Sequence, residues 1–143
     1  MEELVTMTLT MALLGICAYF DLKEKKIPVL PIFLSICIHI FFFIYQDNFQ
    51  FISLLAAFLL GAGFCLLSML SKGALGMGDG LLAAACGVSL GFYKALALFF
   101  YGFLFAGLVG FFLLIRKKKS RKEELPLVPF LYLVYGGMCF LGL

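Results

Sequence analysis

Charge is scarce in this sequence. Only 13% of its 143 residues are Asp, Glu, Lys or Arg, and 64% are hydrophobic. A soluble domain carries about 25% charged residues and about half apolar ones. At a mean hydropathy of +1.14, the polar surface is too small to cover a compact monomer in water. The chain belongs in a bilayer. That excludes a nucleic-acid-binding protein, a secreted disulfide scaffold and a soluble Rossmann or barrel enzyme. Metal-binding side chains are scarce as well. His39 is the only histidine, and among Ile and Phe it reads as a satisfied, buried imidazole. The five cysteines, Cys17, Cys37, Cys65, Cys86 and Cys139, stand singly with no CxxC spacing. They read as small packing hydrophobes, and no zinc site is supported. No metal and no cofactor is expected.

What the chain has in plenty is long uncharged stretches. A membrane helix needs about 20 apolar residues to cross about 30 Å of hydrocarbon. Spans one to three are expected at Leu4–Phe20, Val29–Tyr45 and Phe49–Leu70, spans five and six at Ala95–Ile115 and Leu125–Leu143. The start does not read as a cleaved signal peptide, since it carries Glu2 and Glu3 where such a segment carries basic residues. Span four is irregular. The 14 uncharged residues from Gly80 to Tyr93 make about 21 Å of helix, too little to cross. The helix is expected to borrow residues from before Asp79, which places that carboxylate below the membrane surface.

All basic residues except Lys94 fall in the connections between spans one and two, three and four, and five and six. By the positive-inside rule these loops face the cytoplasm. The expected architecture is an all-α polytopic bundle of six transmembrane helices, residues 1–143 forming a single integral-membrane domain with both termini outside. Small residues recur every four positions, at Ala83, Gly87 and Gly91, and at Gly102, Ala106 and Gly110. Together with Gly61 and Gly63 they are expected to let helices approach closely in lipid.

Two acids remain to be explained, and both fall on the cytoplasmic side. Asp21 closes span one, and Asp79 lies in Gly76-Met77-Gly78-Asp79-Gly80. A charged side chain in a membrane segment costs at least roughly 2.5–3.5 kcal/mol. The alternate glycines are expected to allow positive φ and close approach of another backbone. No Gly-Lys-Ser/Thr follows, so this is not a P-loop. Two carboxylates sharing a site hold one proton between them around a water. The ionised member activates the water, and the protonated one hydrogen-bonds the carbonyl under attack. That is peptide hydrolysis without a metal. Pro28 and Pro126 are expected to begin helices.

These residues resemble the type IV prepilin peptidases and the related preflagellin peptidases, membrane aspartic peptidases of the GxGD kind. Asp21-Leu22-Lys23 followed by Ile27-Pro28 is similar to the family's D-x-[K/R]-x-x-x-I-P. Gly76-Met77-Gly78-Asp79 is similar to GxGD, and Pro126-Leu127-Val128-Pro129-Phe130 to a proline-rich segment opening the last span. The resemblance implies that Asp21 and Asp79 are the catalytic pair, with Gly76, Gly78, Lys23, Pro28 and Pro129 as motif positions near the substrate backbone. It implies a prepilin or pseudopilin substrate, cut at the cytoplasmic face after a short basic leader. Two departures stand out. Gly80 and Leu81 follow the GxGD aspartate where an apolar residue and then Lys are common, and no paired CxxC region precedes span one. The latter implies a short form that does not methylate its product.

Other readings of the same residues are a transporter or channel with an aspartate proton or cation relay, and a non-catalytic assembly factor. Apolar outer halves of the spans argue against the first. The basic run Arg116–Lys122 is expected to set topology and to meet anionic lipids. It would repel a basic leader, so Glu24, Glu123 and Glu124 are the expected leader contacts. Lys23 either holds Asp21 ionised by proximity or anchors the helix end.

Overall fold

The computed structural model describes residues 2–45, 51–70, 76–116 and 126–142, and these form six helices: α1 (Glu2–Glu24), α2 (Val29–Tyr45), α3 (Phe51–Leu70), α4 (Met77–Leu90), α5 (Phe92–Ile115) and α6 (Val128–Leu141). By length and apolarity, α1, α3 and α5 can each cross a membrane, whereas α2, α4 and α6 are shorter apolar helices. Large side chains such as Leu30, Phe33, Ile52, Leu59, Phe105 and Phe111 stand exposed on the exterior. An apolar surface of this extent calls for lipid around it.

Helix boundaries depart from expectation in ways that matter for the site. α1 does not stop at Phe20, because Asp21, Leu22, Lys23 and Glu24 continue it. It ends where Lys25 takes a positive φ of 52°. Asp21 therefore lies inside the last turn. α4 gains only Met77 and Gly78 from upstream of Asp79 and remains 14 residues long, about 21 Å. Asp79 sits in its first turn, as expected, but the helix is not lengthened to a full span within the described residues. The prolines also differ from expectation. Pro28 precedes α2 without belonging to it, and the proline in the first turn of α6 is Pro129, not Pro126. A first-turn position lacks an intrahelical partner for its N–H, so proline costs little there.

Among the described residues α4 is the centre of the bundle, touching α1, α2, α3 and α5. Every residue from Leu82 to Val88 is buried. Its broadest contact is with α3, and glycine makes that possible. A Cβ on Gly61 would stand 2.6 Å from the Ala84 Cβ and 2.9 Å from the Gly80 carbonyl. One on Gly87 would meet the Ala57 Cβ at 2.9 Å, and one on Gly80 would strike the Cys65 sulfur. On α5, Gly102 makes room for Leu131 of α6. Gly63 faces open space, so the packing role expected for it is absent. Gly91 does not pack either: its φ of 84° breaks the chain between α4 and α5.

His39 is buried as expected but only half satisfied. Nδ1 lies 2.8 Å from the Ser35 carbonyl, while Nε2 has no hydrogen-bond partner among the described residues. Cys17 and Cys86 are buried, and Cys65 packs against Gly80. Cys37 is exposed, contrary to the packing role expected of it.

Candidate active site

The last turn of α1 and the first turn of α4 carry the two acids to the same end of the bundle. Both residues are buried, each 8% exposed, and α1 packs on α4. The carboxylates lie within electrostatic reach of one another.

Each acid is held by backbone N–H groups at a helix start. Asp79 is the third residue of α4, and its carboxylate accepts the Gly76 N–H. Its own N–H donates to the Gly76 carbonyl at 3.0 Å. This reciprocal pair is half of a capping box, with an acid in the third position reaching back to the cap. Asp21 is held from much farther along the chain. Its Oδ2 accepts the Val128 N–H at 3.0 Å in a buried hydrogen bond, and the Leu127 N–H also bonds its carboxylate. The sequence reading missed these donors. It singled out the proline-rich segment, but a backbone N–H has no letter of its own.

The glycines act through their missing side chains, not through unusual dihedrals. Among the described residues, the positive-φ glycines are Gly91 and Gly142, so the left-handed conformation expected around Asp79 is not used. Gly76 is extended, with φ −67° and ψ 141°. A Cβ on Gly78 would stand 2.8 Å from the Ile27 Cβ. The two aspartate motifs therefore touch through Gly78 and Ile27, which draws the start of α4 against the segment leaving α1.

The remaining sequence candidates spread out. Lys23 Nζ sits 5.7 Å from the centroid of the Tyr19 ring. Glu24 is exposed at the same end as the acids, and Pro28 is half-buried ahead of α2. Pro129 occupies the second position of α6. Glu123, Glu124 and the basic run beyond Arg116 lie outside the described residues. Among the described residues no group of three or more His, Cys, Asp or Glu could hold a metal ion.

At the opposite end lies a cavity of about 160 Å³, lined in part by Glu3, Thr6, Ser89, Lys94 and Tyr135. The helix ends opposite the acids are thus less uniformly apolar than expected. Along α1 and α4, however, Leu14, Cys17, Leu82 and Cys86 stand between this cavity and the acids, all fully buried.

Residues 8–111 match the family model described as the type IV leader peptidase family. The chain belongs to that family. The matched stretch contains both Asp21 and Asp79 and ends before α6. No curated protein and no solved structure matches the chain. Membership and the apolar helices together make this a membrane protein and a protease of the leader peptidase type.

Proposed function

We infer that this leader peptidase is an aspartic endopeptidase that cleaves the basic leader from prepilin-like precursors at the cytoplasmic face of a cell membrane. The observation that supports this most is that two buried carboxylates, 58 residues apart at Asp21 and Asp79, lie within electrostatic reach of one another at one end of the bundle. A water between them loses a proton to the ionised carboxylate as it attacks the scissile carbonyl. The protonated partner donates to the carbonyl oxygen as charge develops there. When the tetrahedral intermediate collapses, the C–N bond breaks and the proton taken from water passes to the leaving amine. With one acid ionised and one protonated in the working state, activity follows a bell-shaped dependence on pH.

The orientation rests on the basic loops, which hold every Lys and Arg except Lys94. A precursor with a basic leader and an apolar helix would lie in the bilayer beside the bundle, its cleavage site level with the acids. Glu24, exposed at the same end as the acids, is proposed to meet the leader, and Glu123 and Glu124 to do the same. The basic loops meet anionic lipid headgroups.

Co-expression with candidate prepilins, scored by mass spectrometry for leader loss, tests this function. A single cut between leader and apolar helix is the expected result, absent when Asp79 is Asn. Failure to process any precursor of this kind, with Asp79-dependent ion flux in proteoliposomes, would favour the relay reading instead.

A further inference from the structure

We propose that the amino-terminal amides of α6 are the positioning element for Asp21, holding it as the ionised member of the pair while Asp79 carries the proton. The proposal rests on the peptidase reading above, but its structural basis is independent of the family match, which ends at residue 111.

The N-terminus of α6 is left with amides to satisfy, as every helix start is. Leu127, its cap residue, offers no side-chain hydrogen bond. Phe130 N–H donates to the Leu127 carbonyl at 3.0 Å, and Leu131 N–H to the same oxygen at 3.2 Å. Pro129 has no N–H to place. That leaves Leu127 and Val128, and both donate to the carboxylate of Asp21. A side chain 107 residues away thus caps α6. The relation works in both directions: the acid completes the helix, and the helix fixes the acid.

The asymmetry between the two acids follows from the donors. Asp21 receives two amides at the positive end of a separate helix, where an anion is favoured. Asp79 receives one, from Gly76 next to its own helix start. The charged and titratable surroundings of Asp21 do not reverse this. Among the described residues α4 presents Asp79, α6 presents backbone amides, and α1 itself presents Cys17. At its near end α2 offers Val29, Leu30 and Pro31, none of which titrates, and Lys23 is turned onto Tyr19.

Replacing the Val128 amide by an ester, through incorporation of the α-hydroxy acid analogue, removes one donor to Asp21 and also weakens the Leu127 carbonyl as acceptor for Phe130 and Leu131. The expected result is a lower kcat with unchanged KM and an acidic limb of the pH profile moved to higher pH. Asp21 would then be easier to protonate, and the active form would be lost sooner as pH falls. An unmoved acidic limb, in a folded ester variant, would overturn the proposal, provided Asp21→Asn is inactive. If Asp21→Asn instead cleaves like the unmodified protein, the peptidase reading fails at its root. Hydrogen exchange gives a readout that needs no activity and decides the matter should the ester variant not fold. Asp21→Ala should speed exchange in the peptide spanning residues 126–131, and Asp79→Ala should not. Equal protection in both variants would also overturn the proposal.

Discussion

The two faces of α4 are built on opposite principles. Toward α3 it presents Gly80, Ala84 and Gly87 against Cys65, Gly61 and Ala57, a seam with no room for one more methyl group. Toward α1 the contact is smaller, and the groups that meet near its end are carboxylates held by amides. In lipid, close backbone approach supplies the association that water would otherwise drive. The seam with α3 fixes α4, and the looser side can carry buried acids at the cost such groups bring. Rigidity and chemistry are divided between the faces of one 14-residue helix.

The comparison predicts a graded set of effects. Asp21→Asn or Asp79→Asn should each lower the cleavage rate on the order of 1,000-fold, measured in detergent or proteoliposomes with a folding control by size exclusion. Comparable activity in either variant would dissolve the distinction between the two faces. On the α3 side, Gly61→Leu should act first on stability, by roughly 1–3 kcal/mol from overpacking, read from thermal unfolding. Gly63→Ala is the matched control two residues away. It faces open space and should leave stability unchanged or raise it by up to about 1 kcal/mol. Charge reversal at Glu123 and Glu124 should raise KM by about two- to fivefold per residue, the scale of an exposed ion pair, with kcat unaltered. Smallest of all, Lys23→Gln should cost less than about 1 kcal/mol of stability, the worth of an exposed cation–π contact, and leave kcat alone.

Much of this was readable from the residues. The bilayer setting followed from scarce charge, and the first-turn position of Asp79 from the short stretch between it and Lys94. Side-chain patterns report burial and length well, since both are properties of single letters summed along a helix. They report poorly on relations between backbones. Of the two roles expected of Gly78, positive φ and close approach, only the second is used, and it clears space for Ile27. Gly91 looked like a packing residue, yet it breaks the chain. The amides of Leu127 and Val128 were invisible for the same reason, because every residue but proline has one and only the fold decides which remain unpaired.

The most direct test of the central claim is a double-mutant cycle on the acids. If Asp21 and Asp79 act as one unit on one water, the combined Asp21→Asn and Asp79→Asn variant should cleave no more slowly than either single variant, as groups that function together are strongly non-additive. Losses that multiply in the double variant would mean that each acid works alone, and would contradict the account.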